Sequence, residues 1–262
     1  MTTPTDLLHR CVVLITGAAQ GLGADIARLC SEAGASVAVT DVLDDAGRAL
    51  ADSLPGPAVY RHLDVTDEQA WSDVITDVES VLGPLTGLVN NAGVLLMEPL
   101  ETTSLAAAAR VLEVNTLGVF LGIRAAVGPM RRNGGGSIVN IASIDGVAAM
   151  NSVGMYTASK FAVRGLTRAA AIEHGRDNIR VNAVCPAMGN PMMVQPFLER
   201  IDVRRYLAAV PTPILPEPST GEDAARMTRF LLSDESHGIT GADHIVDAGW
   251  LAGRYFPGLP GF

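Results

Sequence analysis

Short β-prone runs alternate with longer amphipathic segments along almost the whole chain. The runs CVVLIT (11–16) and SVAVTD (36–41) are rich in β-branched residues, and helical patterns at 23–34 and 44–54 follow them. Strands that are apolar on both faces belong to a sheet that helices cover on both sides, as parallel strands with helical crossovers require. The alternation therefore predicts an α/β fold with a Rossmann-type, doubly wound parallel sheet of about seven strands.

The same pattern continues to the end of the chain without repeats or a dividing linker. Further strands are expected at 58–65, 87–93, 136–143, 179–186 and 241–249, and further helices at 66–83, 102–131, 155–175 and 220–234. We therefore expect residues 1–262 to form a single domain, with a substrate loop at about 187–218 and an apolar C-terminal tail at 250–262.

Composition excludes several classes of function. The formal net charge is −9 and the pI is about 5.0, which argues against binding to nucleic acid or to an anionic membrane. No apolar run is expected to approach the ~20 residues of a membrane span, and the N-terminus does not resemble a signal peptide. The three cysteines and five histidines are scattered, so we expect no metal site, and reduced cysteines in a cytoplasmic protein.

The first strand runs into a glycine-rich segment, TGAAQGLG (16–23), directly before a helix. Glycines at this position allow a tight turn, close approach of the backbone to a phosphate and close packing of the helix on the strand. The helix N-terminus adds unpaired N–H groups, which bind anions. The segment is therefore predicted to bind a dinucleotide through Gly17, Gln20, Gly21, Leu22 and Gly23.

The second strand ends at Asp41, at the distance where a carboxylate accepts hydrogen bonds from the adenosine ribose. That carboxylate would repel the 2′-phosphate of NADP, and no Lys or Arg in 11–27 or 41–47 would neutralise the phosphate. We therefore expect NAD as the cofactor, with Asp41 and the neighbouring Val42 at the ribose.

Two further segments are expected to lie against the cofactor. Asp64 and Val65, at the end of the third predicted strand, would contact the adenine by a hydrogen bond and an apolar contact. In NNAG (90–93), the backbone of Asn91, Ala92 and Gly93 would approach the cofactor at the end of the fourth strand.

At this point the chain resembles a short-chain dehydrogenase/reductase of the group with TGxxxGxG and YxxxK motifs. The resemblance runs over about residues 10–250, and the motifs occur in the family order. Asn115 follows in LEVNTLGVFLG and Ser143 in IVNIASIDG, and Tyr156 and Lys160 stand in YTASK.

The resemblance implies a role for each of these four residues. Tyr156 would be the general base, or the acid in the reducing direction. Lys160, together with the cationic nicotinamide, would favour its phenolate and hold the nicotinamide ribose. Ser143 would hydrogen-bond the substrate oxygen, and Asn115 would hold a water that links Lys160 to solvent.

Two places depart from the family pattern. After strand six the family usually reads Pro-Gly and then a Thr that touches the carboxamide, whereas CPAMGNPMMV has Ala187 in place of the Gly and no Thr before Thr212. We expect Pro186 and Met188 to contact the cofactor, with Asn190 or backbone groups in place of the Thr. The last strand ends in VDAGW, where a second Gly is more usual.

The substrate loop is rich in Met and Pro and has few charges, which favours a hydrophobic substrate. Ile144, Met150, Met192 and Met193 are expected to line the pocket. Several stretches, among them DVLDDAGRALADSL and YTASKFAVRGLT, are similar to bacterial NAD-dependent 3α(or 20β)-hydroxysteroid dehydrogenases. The resemblance implies an oxidoreductase that interconverts a hydrophobic secondary alcohol and its ketone with NAD(H), a hydroxysteroid being one candidate.

Three alternatives stay open from the sequence. The enzyme could act on another cyclic or aryl alcohol. It could be a 3-oxoacyl carrier-protein reductase, although that enzyme normally uses NADP and a basic patch. A non-catalytic NAD-binding protein is a third reading, although such proteins usually lack the Tyr or the Lys.

The apolar surface of the helices at 102–131 and 155–175 predicts contacts with other subunits. The family resemblance implies a homotetramer that pairs through these helices and through the last strand. The tail WLAGRYFPGLPGF (250–262) is expected to lie as an extended strap that helps close a substrate pocket.

Overall fold

The computed structural model describes residues 7–187, 191–202, 204–205 and 214–253. Seven strands form one parallel sheet in the order β3-β2-β1-β4-β5-β6-β7. The strands are β1 Val12–Thr16, β2 Ser36–Asp41, β3 Ala58–His62, β4 Gly87–Asn90, β5 Gly136–Ile141, β6 Ile179–Pro186 and β7 Asp243–Val246. The order reverses between β1 and β4, as in a doubly wound fold, so the predicted fold class is confirmed.

Helices connect the strands and cover both faces of the sheet. They are α1 Gly21–Glu32, α2 Asp44–Ser53, α3 Glu68–Leu82, α4 Leu105–Leu112, α5 Gly118–Arg132, α6 Gly154–His174, α7 Pro191–Val194 and α8 Gly221–Leu232. A π-helical turn, Glu113–Leu117, joins α4 to α5, so the single helix predicted at 102–131 consists of three segments.

The third strand ends earlier than the sequence predicts, at His62 rather than at residue 65. The fourth strand ends at Asn90, within the segment 87–93 that the sequence predicts to be a strand running into a turn. At the end of β4, the backbone N–H groups of Asn91 and Ala92 both donate to the hydroxyl of Thr16, at 3.0 Å. The chain therefore leaves the ladder to make a side-chain contact with β1. The sequence after a strand does not show at which residue the backbone N–H groups stop bonding to the neighbouring strand and bond to a side chain instead.

Each face of the sheet carries its own apolar core. In β1, Leu14 packs into the core that contains Trp71 of α3 and Met130 of α5. Val13 and Ile15 point to the opposite face and pack with Ile26 of α1 and Leu231 of α8. The alternation along one strand explains why the strands read as continuous apolar runs, because both sides are buried.

The helical run Leu105–Arg132 corrects one expectation. It is long and apolar enough to cross a membrane by length and composition, whereas the sequence reading expected no such run. Half of its most apolar window is buried within the protein, and core helices pass the same test. Its low charge follows from packing on the sheet.

Parts of the substrate loop and of the tail lie outside the described residues. These parts are 188–190, 203, 206–213 and 254–262, so the expectations for Met188, for Asn190 and for closure of the pocket by the tail fall there. Where the family usually has a second Gly, Ala248 adopts a left-handed backbone with φ +53°. Its carbonyl accepts hydrogen bonds from the N–H groups of Ile214 (3.0 Å) and Leu215 (3.2 Å), which ties the returning loop to the end of β7.

Candidate active site

The carboxyl ends of β1, β4, β5 and β6 open into one elongated cavity of about 600 Å³. Gly17 after β1, Asn91 after β4, Ser143 after β5 and Pro186 at the end of β6 all line it. It lies beside the reversal of strand order between β1 and β4, where ligands bind in open α/β sheets.

The glycine-rich turn at one end of this cavity has no room for side chains. Gly17 has φ +61°, and a Cβ on it would lie 2.7 Å from Cα of Ala92. A Cβ on Gly23 would overlap the carbonyl oxygen of Gly17. In the described part of the chain no side chain caps the first turn of α1, so its N–H groups are free to bind an anion. The turn therefore fits the pyrophosphate of a dinucleotide.

Of the residues predicted here, Gln20 and Leu22 line the cavity beside Gly17 and Gly23. Gly21 does not line it. With φ +55°, Gly21 shapes the turn instead.

Asn91 braces this turn from the end of β4. Its side-chain N–H group donates to the carbonyls of Thr16 and Gly17, both at 2.9 Å. The bracing brings Ala92 and Gly93 to the cavity wall, as the sequence predicts for backbone close to the cofactor.

The carboxylate of Asp41 is buried and already organised by backbone groups. It accepts hydrogen bonds from the N–H groups of Ala19 (2.9 Å), Val42 (2.8 Å) and Leu43 (3.1 Å). Asp41, Val42 and Leu43 line the cavity together. Asp41 thus holds the turns after β1 and β2 together and presents negative charge at the cavity end where a ribose would lie.

The adenine end of the cavity contains the predicted residues Asp64 and Val65, together with Arg110, which the sequence does not predict. Asp64 accepts hydrogen bonds from the N–H (2.9 Å) and hydroxyl (2.7 Å) of Thr66, which lower the pKa of its carboxyl group. Val65 lies beside it, and Arg110 of α4 lines the same cavity. The guanidinium of Arg110 lowers the pKa of Asp64 further, so this end combines an anion and a cation.

Tyr156 and Lys160 occupy the first two turns of α6 and are both buried. Nζ of Lys160 lies 5.6 Å from the centre of the Tyr156 ring and donates to the carbonyl of Ile141 at 2.8 Å. Ser143 stands two residues after Ile141, beyond the end of β5. The lysine therefore joins the helix that carries the phenol to the strand that carries the serine.

In the protein alone, burial dominates the electrostatics of Tyr156 and Lys160. Burial raises the pKa of the Tyr156 phenol, the nearby Ser143 hydroxyl lowers it, and the carboxyl group of Asp145 raises it. Burial also lowers the pKa of Lys160 to about 8, because a buried ammonium loses hydration. The protein by itself therefore favours the protonated phenol, and the expectation that Lys160 and a cationic nicotinamide together favour the phenolate stays a prediction.

Asn115 lies in the π-helical turn, is fully buried and does not line the cavity. Its Oδ1 accepts from the N–H of Val94 (2.8 Å), and its Nδ2 donates to the Val94 carbonyl (2.9 Å) and to the Ser159 hydroxyl (3.1 Å). The side chain thus positions the segment after β4 against α6. A water-holding role for Asn115 stays a prediction.

The substrate end is mostly apolar, and two of the four predicted pocket residues belong to it. Met150 and Met193 line the cavity, whereas Ile144 and Met192 do not, and Met192 is 52% exposed. Ile144 lies in the 3₁₀ turn after Ser143, Met192 lies in α7, and their contact with a substrate stays a prediction. The lining residues that the sequence does not predict include Leu43, Leu63, Val94, Leu95, Met97, Arg110, Val114, Ile141, Ala142, Asp145 and Ile201. Proximity to NNAG and to Ser143 in the sequence was the available signal for most of them.

Comparison with known proteins places this geometry in a family. A family model described as "Enoyl-(Acyl carrier protein) reductase" matches residues 17–251. The chain is 41% identical over 92% of its length to a 3-alpha-(or 20-beta)-hydroxysteroid dehydrogenase of Mycobacterium tuberculosis, covering 90% of that protein. The chain belongs to the short-chain dehydrogenase/reductase family.

Two further relatives show the breadth of the family around this chain. A trans-4-hydroxycyclohexanecarboxylate dehydrogenase of Sinomonas cyclohexanicum is 35% identical, with 97% of this chain and 98% of the relative covered. An NADP-dependent (R)-specific alcohol dehydrogenase of Lentilactobacillus kefiri is 34% identical, with 95% and 99% covered. Membership of the short-chain dehydrogenase/reductase family makes this protein an oxidoreductase that uses a nicotinamide cofactor.

Lys160 is the only lysine in the sequence, which allows a direct measurement of its pKa. Protein labelled with [ε-¹³C]lysine should give one side-chain carbon signal, and its NMR titration should have a midpoint near 8. The same protein unfolded in urea should titrate near the ordinary value of 10.5, since hydration is restored. If the folded protein titrates at the same midpoint as the unfolded protein, burial does not lower the pKa of Lys160.

Proposed function

We propose that this protein interconverts a hydrophobic cyclic secondary alcohol and its ketone by hydride transfer with NAD(H). The observation that carries the proposal is the meeting of Tyr156, Lys160 and Ser143 in a largely apolar cavity that is continuous with a dinucleotide cradle. When bound, the nicotinamide supplies or accepts the hydride. The protein supplies binding, exclusion of water and proton transfer.

Each of the three residues has a role that follows from its surroundings. Ser143 would hydrogen-bond the substrate oxygen and stabilise its developing charge. Tyr156, whose pKa burial raises, is protonated at neutral pH and is suited to donate a proton to that oxygen during ketone reduction. In alcohol oxidation, positive charge from Lys160 and the oxidised cofactor would have to offset the burial of the phenol.

The apolar wall and the relatives support the choice of substrate class. Leu95, Met97, Met150 and Val153 line the substrate end. The relatives from Mycobacterium and Sinomonas are named for a 3α- or 20β-hydroxysteroid and for a hydroxycyclohexane acid. The 3α-hydroxyl and the cyclohexane hydroxyl sit on ring carbons, whereas a 20β-hydroxyl sits on the steroid side chain. A hydroxysteroid is therefore one candidate and a smaller cyclic alcohol is another. The acidic net charge disfavours a carrier-protein substrate, which needs a basic docking patch.

The position of Asp41 supports NAD over NADP. Its carboxylate is buried at the ribose end and is held there by three backbone N–H groups, so it cannot swing away from a 2′-phosphate. Since one relative is NADP-dependent, both cofactors occur among similar proteins, and this residue is the basis for our assignment.

A panel of cyclic and acyclic secondary alcohols with NAD⁺, followed by NADH absorbance, tests the proposed activity. We expect Tyr156→Phe to bind NADH as the wild type does and to lose turnover by about 10²- to 10⁴-fold, because only the transferable proton is removed. Tyr60→Phe is the matched control. Its hydroxyl bonds to Asp44 and to the backbone of Asp41, outside the catalytic group, so kcat should stay near the wild-type value. Turnover by Tyr156→Phe within a fewfold of wild type would refute the assignment.

The ratio of kcat/KM for NADP to that for NAD tests the role of Asp41. Asp41→Ala combined with Val42→Arg should raise this ratio by at least about tenfold, since a repulsive charge is replaced by an attractive one. Val42 is 53% exposed and lines the cavity, so an Arg can be accommodated there. Val42→Arg alone is the control and should change the ratio less. A wild-type preference for NADPH would show that the reading of Asp41 is wrong.

We also propose that the protein is a homotetramer. Large apolar side chains remain exposed along α5 and α6 and the segments beside them: Leu105, Leu117, Phe120, Phe161 and Ile172. Aligned apolar side chains on adjacent helices are typical of subunit interfaces. The edge strand β7, where Ile245 is 45% exposed, offers a second surface. For location we propose the cytoplasm, because the three cysteines are free thiols, as expected in a reducing compartment.

Multi-angle light scattering at micromolar concentration should give four times the chain mass of 27.3 kDa. Phe161→Glu should shift the mass to dimer or monomer, because a charge would be buried in the interface. Val81→Glu, on α3 and 53% exposed in the isolated chain, is the control and should remain tetrameric. A monomeric wild type would contradict the proposal.

A further inference from the structure

Asp145 lies in the short 3₁₀ turn Ile144–Gly146 that follows Ser143, and it lines the same cavity. Its backbone N–H donates to Oγ of Ser143 at 3.0 Å. Its carboxylate Oδ2 lies 3.4 Å from the same Oγ, at the long limit of a hydrogen bond. The backbone contact already holds the serine, so the carboxylate is not needed to position it.

The surroundings of this carboxylate are unusual for a charged group. Among the described residues that line the cavity, Asp41, Asp64 and Arg110 belong to the adenosine end, and Lys160 donates to Ile141. No ion pair among the described residues includes Asp145. Burial raises the pKa of its carboxyl group.

A polar group that faces an apolar cavity is stabilised when a ligand supplies a hydrogen bond. The cavity walls include Leu95, Met150 and Val153, none of which has a polar side-chain hydrogen to offer. Both the carboxylate and the neutral acid keep an acceptor oxygen. Among the described residues, the Ser143 hydroxyl donates to this carboxylate at 3.4 Å, so a hydroxyl group on a substrate can supply a second and shorter hydrogen bond.

We propose that Asp145 accepts a hydrogen bond from a second hydroxyl group on the carbon next to the reacting carbon, so that the substrate is a cyclic vicinal diol. The inference rests on the proposed function and specifies its substrate. In the oxidation, the reacting carbon loses its hydride to the nicotinamide cofactor, and its hydroxyl group loses its proton to the phenolate form of Tyr156. The product is an α-hydroxy ketone, and the second hydroxyl is unchanged.

The spacing of the two protein oxygens favours neighbouring hydroxyls over distant ones. Oγ of Ser143, which would hold the reacting oxygen, is 3.4 Å from Oδ2 of Asp145. The two oxygens of a gauche vicinal diol are separated by about the length of one hydrogen bond. One hydroxyl can therefore bond to Oγ of Ser143 while the other bonds to Oδ2 of Asp145. Hydroxyls on opposite sides of a six-membered ring are too far apart to do so.

The test measures kcat/KM with NAD⁺ for cyclohexanol, 1,2-cyclohexanediol and 1,4-cyclohexanediol. The wild type should prefer the 1,2-diol. Asp145→Ala should lower the ratio of 1,2-diol to cyclohexanol by about tenfold or more, which is the size expected for a hydrogen bond to a charged group. Asp145→Asn, which keeps an acceptor oxygen, should lower that ratio less. The ratio of 1,4-diol to cyclohexanol should not change.

Glu101→Ala is the matched control, because it removes an exposed carboxylate that does not line the cavity and should leave all ratios unchanged. NADH binding, followed by fluorescence, shows that each variant is folded. If the alanine variant does not bind NADH, the comparison rests on Asp145→Asn.

Equal losses on all three substrates in the Asp145 variants would overturn the inference, because Asp145 would then act only through Ser143. A wild type that oxidises cyclohexanol and shows no preference for the 1,2-diol would also overturn it and would leave the proposed function standing. Inactivity of the wild type toward every alcohol in the wider panel would overturn the proposed function, and this inference with it.

Discussion

The hydrogen bond from Nζ of Lys160 to the carbonyl of Ile141 is the contact on which the arrangement of the catalytic group depends. It joins α6 to the end of β5 and so relates Tyr156 to Ser143. Two neighbouring contacts reinforce the same junction. Nδ2 of Asn140 donates to the Thr167 hydroxyl at 2.9 Å, and Arg164 donates to the carbonyl of Gly146. Because three points of attachment lie along one helix, the phenol and the serine hydroxyl keep their relative positions when the substrate changes.

Lys160 and Ile141 are buried at this junction, and burial also shifts the pKa values of Lys160 and Tyr156. A lysine withdrawn from water loses affinity for its proton, and a buried phenol holds its proton more strongly. Charge that arrives with the cofactor therefore has a large effect, because little solvent is present to screen it. If the proposed function holds, proton transfer by Tyr156 would respond to the oxidation state of the bound nicotinamide.

The three carboxylates that line the cavity have different roles. Asp41 accepts three hydrogen bonds from backbone N–H groups and holds the turns after β1 and β2 together. Asp64 is held by Thr66. Asp145 has one long side-chain contact among the described residues, with the hydroxyl of Ser143 at 3.4 Å. A carboxylate that its own protein satisfies is structural, whereas one that lacks a close donor is available to a ligand.

The sequence by itself determined the fold class and predicted the cofactor turn and the pair Tyr156 and Lys160, because each of these follows from short-range patterns. Alternating apolar runs, glycines at a βα turn and a Tyr four residues before a Lys are all visible within a few residues. Only the tertiary structure decided which side chains form the cavity wall. Arg110 on α4 meets Asp64 after β3 because the strand order brings those loops together across more than forty residues. Within the turn after Ser143, the backbone directs Asp145 into the cavity and Ile144 away from it, and this choice depends on dihedral angles that residue types alone do not specify.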